Sequence, residues 1–221
     1  MRTVTLSLQK IPFSTWALGF LFLLIYQSLD AGLNQLLEVL FRSPEGTPNW
    51  VWLLAALSVL LNIVAPLLIS FFLLTSLKGS RNWEGDFQQL VIETLRVWGK
   101  ILFYTFFFII PGLWKWMTTL YVPYVVLFSK SYSLGEADAI ATSRALFKKV
   151  WGRSLVVLLV FSFVIPLFVT SNFDQYREIW RTPVGAIVLG FADYISLILG
   201  LFILLKFFLK ASEEVNHELV F

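Results

Sequence analysis

Cysteine is absent from this chain and histidine occurs once, at His217. No disulfide can form, and Cys nucleophiles and Cys/His zinc sets are excluded. The lone His217, in the charged tail EEVNHEL, reads as a solvated residue. There is no H-E-x-x-H, no G-x-S-x-G, no phosphate-cradling G-x-x-x-x-G-K-[ST] and no clustered acid pair for a metal. No catalytic residue, metal or cofactor is therefore expected. Charge is scarce too: Asp, Glu, Lys and Arg make up 14% of the residues, against about 25% in an ordinary soluble domain.

Hydrocarbon takes the place of charge. Of the 221 residues 58% are hydrophobic, and 22 Phe and 9 Trp bring the aromatics to 17%. A soluble fold of this size cannot bury so much apolar surface, whereas a lipid-solvated one has no need to. The expected class is an all-α, polytopic membrane helical bundle forming a single domain over residues 1–221.

Six apolar runs set the expected spans: 11–29, 50–77, 97–111, 113–129, 154–170 and 185–208. Arg2 and Lys10 precede the first, but QSLDAGLNQ after it has no clean small-x-small cleavage site, so an uncleaved helix is expected. Residues 30–42, with Leu33, Leu36, Leu37, Leu40 and Phe41 at helical spacing, predict an amphipathic helix lying in the interface. Pro66 and Pro166 interrupt the second and fifth runs. Pro111-Gly112 divides 101–129 into halves that are short against the ~20 residues of a full span, which predicts a hairpin turn there.

Basic residues decide the topology. With a turn at Pro111-Gly112 the loops alternate so that 13 of the 17 Lys and Arg fall on one side and 4 on the other. Such a bias marks the cytoplasmic side. Six crossings in the cytoplasmic (inner) membrane, with both termini cytoplasmic, follow. The same bias explains the basic loops without nucleic acid. Lys115, Trp114 and Trp116 read as snorkelling and aromatic-belt anchors at the outer turn.

Two polar segments remain. In 78–100, Glu93, Arg96 and Lys100 share a helix face, read as mutually paired and exposed. In 130–153, Ser133 and Glu136 match a capping box, and Arg144, Lys148 and Lys149 lie toward the negative end of the helix it starts. Ile140, Phe147 and Trp151 form a narrow apolar stripe. This predicts a helix on the cytoplasmic membrane surface with its lysines near anionic headgroups. VWGK (97–100) and VWGR (150–153) each precede an apolar run reaching a proline, 13 residues from Trp98 to Pro111 and 15 from Trp151 to Pro166. The match suggests two repeated units.

The stretch from Ile109 to Val160 resembles a group of bacterial membrane proteins that includes the membrane domain fused to some glycerophosphodiester phosphodiesterases. The residues that carry the resemblance are Pro111-Gly112, Tyr121 and Pro123, then Ala139, Ser143, Leu146 and Trp151. It covers about residues 85–170 and implies a six-helix bundle. It transfers no catalytic site, because in the fused enzymes the chemistry belongs to a separate soluble domain.

Asp193 lies near the middle of the last run, and Asn62 lies at similar depth, four residues before Pro66. An ionisable group in a span costs at least ~2.5 kcal/mol on insertion scales. Asp193 reads either as a proton, cation or polar-ligand site or as a protonated or partnered lock between helices. Asn62 reads as a polar spot beside the proline-freed carbonyl or as a helix–helix hydrogen bond. Two functions lead. One is a non-enzymatic scaffold or accessory subunit whose partners are membrane lipids and a membrane protein or second copy. The other is a transporter or lipid-handling protein using the Pro-broken helices and Asp193. A membrane enzyme acting on lipid headgroups is a third.

Overall fold

The computed structural model describes residues 13–42, 47–78, 82–165, 167–168 and 183–214. They are almost wholly helical. In order come α1 (Phe13–Phe41), α2 (Asn49–Lys78), α3 (Trp83–Phe107), α4 (Ile109–Thr118), α5 (Val122–Phe128), α6 (Lys130–Ser133), α7 (Ala139–Leu159) and α8 (Pro183–Glu214). A π-helical turn, Val160–Val164, extends α7. Among the described residues three stretches are long and apolar enough to cross a membrane: Phe13–Phe41, Asn49–Lys78 and Gly190–Glu214. Pro166 and His217 lie outside the described residues, as do parts of the expected 11–29 and 154–170 spans.

The chain divides into two compact units, residues 1–73 with 176–195, and 74–175 with 196–221. In the first, α1 packs antiparallel to both α2 and the start of α8. Gly19 lets α8 approach: a Cβ there would run into the Tyr194 hydroxyl, which donates to the Trp16 carbonyl at 2.8 Å. Gly190 does the same about one helical turn along α8 from Tyr194, against Leu24 and Gln27. Small residues at such crossings are how membrane helices gain close packing without a hydrophobic driving force.

Here the structure corrects the expected interfacial helix at 30–42. α1 runs unbroken for 29 residues, about 43 Å at 1.5 Å per residue. No Pro interrupts it at Leu29, and Asp30 accepts hydrogen bonds from Ser58 and Asn62 on α2.

The second unit is built on α7, which does not lie on a surface by a narrow stripe. Ala139, Ile140, Ser143, Leu146, Phe147 and Val150 are all buried in protein; Trp151, third of the expected stripe, is 57% exposed. Its cap also differs from the expected box. Asp138 is the N-cap, accepting the Ala141 N–H at 3.0 Å, while Ser133 closes α6 and Gly135 turns the chain at φ 76°. Glu136 sits in that turn, too far upstream to serve the helix.

α3 and α4 form a helical hairpin whose break is at Phe108, extended at φ −154° and ψ 130°. Pro111 and Gly112 are not the turn. They lie in the first turn of α4, where Pro loses no intrahelical bond. Gly112 is instead the crossing point of the two arms: a Cβ would meet Thr105, with its Cα 2.8 Å away. Nor is 113–129 one helix. Three residues, Thr119 to Tyr121, separate α4 from the seven-residue α5, which Pro123 starts. α5 is buried among protein side chains, with Phe208 stacked on Tyr124 at 5.8 Å and touching Tyr121 and Phe128.

VWGK and VWGR differ in conformation. Val97 sits in regular helix, whereas Val150 kinks α7 at φ −122° and ψ 18°. The kink leaves the Val150 carbonyl to the Ser154 hydroxyl at 2.9 Å, and Ser154 pairs with the Tyr121 hydroxyl at 2.6 Å.

Candidate functional site

In the first unit the polar residues of three apolar helices meet in a row along α1. On α1, Tyr26, Asp30 and Asn34 recur at intervals of four, so they share one face, and Ser58 and Asn62 on α2 repeat the same spacing. The two ladders interlock. Asn62 donates to Asp30 at 2.7 Å and accepts from the Tyr26 hydroxyl. Ser58, 5% exposed, donates to Asp30 at 3.3 Å and to Asn34 at 3.4 Å. Asn34 also donates to Asp30 at 3.0 Å. Asp30 thus accepts from three side chains, which suits a carboxylate with several lone-pair sites.

Asp193 joins from α8. Gln27, next to Tyr26 but on the α8-facing side of α1, donates to its carboxylate at 2.8 Å. Asn62 and Asp193, the two residues singled out in the sequence, are therefore not hydrogen-bonded to each other. Each is held instead from α1, Asp193 by Gln27 and Asn62 by Tyr26 and Asp30. Five members, Tyr26, Gln27, Asp30, Asn34 and Ser58, were not recognised in the sequence. For all but Gln27 the signal was the matched four-residue spacing on two successive apolar runs.

α2 continues through Pro66, whose carbonyl accepts from the Ser70 hydroxyl at 2.7 Å. The row can hold a proton, orient a polar group or bind a polar side chain from a neighbouring helix. Among the described residues no three His, Cys, Asp or Glu converge in a metal-binding group.

The other predicted residues lie in the second unit. Arg144, Lys148, Lys149 and Trp151 are exposed along α7. Arg144 and Lys148 line a groove against the α3–α4 hairpin; Lys149 and Trp151 do not. Glu93 and Arg96 pair as expected at 3.4 Å, but the stronger bond of Arg96 is to Asp138 at 2.7 Å. That contact ties α3 to the N-cap of α7. The Asp138 carboxyl is pushed up by partial burial. The Ala141 N–H and the Arg96 guanidinium, with Lys100 behind it, outweigh this and hold it below the ordinary carboxylate value. Arg96 is correspondingly raised, first by its bond to Asp138.

Compared with protein-family models, with curated proteins and with solved structures, the chain matches none.

Proposed function

We propose that the chain is a non-enzymatic, multi-pass membrane protein that serves as a scaffold or accessory subunit, docking another membrane helix or a second copy of itself against the Asp193 end of the polar row. One observation carries this reading. Asp193 is exposed in the middle of an apolar helix, and Gln27 is its only hydrogen-bond partner among the described residues. A carboxyl left facing hydrocarbon costs at least ~2.5 kcal/mol, and a polar residue on a docked helix removes that cost.

The placement of Gln27, which holds Asp193, next in the chain to Tyr26, which holds Asn62, favours a second reading, a transporter or lipid-handling protein in which these groups take a proton or polar headgroup. Cross-linking separates the two. Because there is no native cysteine, one cysteine at the exposed Ala192 can be oxidised cleanly in native membranes. A discrete adduct, lost in Asp193→Leu at unchanged protein level, supports docking. No adduct at 192, with proton- or cation-coupled uptake lost in Asp193→Asn, moves the assignment to the second reading.

For topology we propose the cytoplasmic (inner) membrane with both termini cytoplasmic, supported by the placement of Lys and Arg. In place of six full crossings we propose four, with the α3–α4 hairpin entering and leaving on the cytoplasmic side. The apolar arm from Val97 to Phe107 supports this, since eleven residues span about 16 Å against the ~30 Å hydrocarbon core. The two basic segments stay on one side as before, and Lys115 joins them. We also propose kinship with the membrane domain fused to some glycerophosphodiester phosphodiesterases. Its support is that Tyr121, Ala139, Ser143 and Leu146 are all buried, with the Tyr121 N–H donating to the Ser143 hydroxyl.

A further inference from the structure

The groove between the α3–α4 hairpin and α7 has a charge imbalance that the chain does not resolve. It has a volume of about 510 Å³ at its α3 end and continues for about 380 Å³ along α7, with Tyr104, Lys115 and Arg144 lining both parts. Lys100, Lys115, Arg144 and Lys148 line it, and no Asp or Glu does. Among the described residues none of these four makes an ion pair. Arg96, at the rim, spends its charge on Glu93 and Asp138.

Lys115 is the most telling of them. It is 7% exposed, on the second arm of the hairpin, with its ammonium 5.4 Å from the centroid of the Tyr104 ring. An aromatic face compensates a buried cation only in part, and a burial this deep is ordinarily matched by an anion.

The apolar surface beside the groove says what kind of anion. Phe106, Phe107, Phe108, Ile109 and Ile110 at the hairpin tip are 59–86% exposed, and Phe103 and Trp114 carry that surface down to the cations. From Lys100 to Phe108 is eight residues, about 12 Å along the hairpin axis. One leaflet of the hydrocarbon core is about 15 Å thick. A tip seated in one leaflet therefore sets the cations at headgroup level, and a ligand between them would have an anionic end above and an acyl chain along the aromatic face below.

We infer that this groove binds the phosphate of an anionic phospholipid headgroup, with Lys115 beneath it, Arg144 able to grip it by two N–H groups, and Lys100 and Lys148 closing its sides. The inference does not depend on whether the polar row of the first unit docks a helix or transports.

The test is native mass spectrometry of the full-length protein, purified in mild detergent and titrated with phosphatidylglycerol, with phosphatidylcholine, or with phosphatidylglycerol plus inorganic phosphate. Wild type is expected to retain one phosphatidylglycerol in preference to phosphatidylcholine. Arg144→Gln with Lys148→Gln, both at exposed positions that leave the fold alone, should weaken retention roughly tenfold or more. Lys115→Met should do the same. Lys149→Gln with Arg153→Gln, on the same helix but outside the groove, should leave it unchanged. Equal loss in that control pair would reduce the effect to diffuse surface charge and overturn the site. So would unchanged retention in the groove variants. Displacement of the lipid by millimolar inorganic phosphate would overturn the lipid assignment in favour of a small free anion.

Discussion

Asn62 donates a 2.7 Å hydrogen bond to Asp30 across the α1–α2 interface, and the same Asp30 oxygen accepts from Ser58. A carboxylate in an apolar helix is thereby supplied with donors from the neighbouring helix. Interhelical hydrogen bonds of this kind average about 0.6 kcal/mol and reach about 1.7. Asp30→Ala removes three at once and is expected to cost about 1–3 kcal/mol. Asp30→Asn keeps an acceptor oxygen and should cost less than half of that. Unfolding in mild detergent measures both, and a cycle with Asn62→Ala should return a favourable coupling. A coupling of zero would mean the two residues stabilise the bundle independently.

Asp30 also shows where sequence reading stopped. The expected first span stops at residue 29, one short of this acid, whose α2 donors Ser58 and Asn62 lie 28 and 32 residues along the chain. The apolar runs themselves, and Asn62 as a polar spot, were legible from composition and spacing alone. Tyr121, Ala139, Ser143 and Leu146 were singled out only by the resemblance, and in the structure all four are buried. Phe108 was not legible: FFFII contains no breaker, whereas Pro111-Gly112 looks like one. Proline is tolerated in the first turn of a helix, and the glycine was needed for close approach, not for a turn.

Gly112 allows that approach to be tested. An added Cβ would lie 2.8 Å from both Cα and Cβ of Thr105, so the hairpin arms must separate. Gly112→Ala is expected to destabilise the second unit by about 1–3 kcal/mol, as overpacking typically does. Thr105→Ala should not rescue it, since the clashing Cα and Cβ remain. A thermal unfolding midpoint restored by the double variant would place the strain in the Thr105 hydroxyl alone.

Ser143 holds the break between α4 and α5. Fully buried, its hydroxyl donates to the Thr118 carbonyl at 3.0 Å and accepts the Tyr121 N–H at 3.2 Å. Ser143→Ala leaves two buried backbone groups without that partner, at about 1–3 kcal/mol for each one left unsatisfied. Denaturant unfolding should show this loss. Ser143→Val, closer in volume to Thr than to Ser, should be no better than Ala. A variant as stable as wild type would mean water or the backbone satisfies the break without Ser143.

The Asp138–Arg96 contact makes the start of α7 sensitive to acid. The folded carboxyl is held below its ordinary value, so the carboxylate form is bound more tightly in the folded state than in the unfolded one. Its contribution is complete above the unfolded value of about 3.9 and is lost as pH falls through the lower folded one. Side-chain exposures of 41% for Asp138 and 46% for Arg96 mean that solvent screens the pair, so the effect is local fraying and not global unfolding. Hydrogen exchange at the Ala141 amide, which Asp138 caps, should accelerate on acidification through that range beyond its intrinsic pH dependence. Asp138→Asn should exchange faster already at neutral pH and show no such step. An Ala141 amide that stays equally protected in both forms would show that α7 is held at its start by burial of Ala139 and Ile140 and not by the cap.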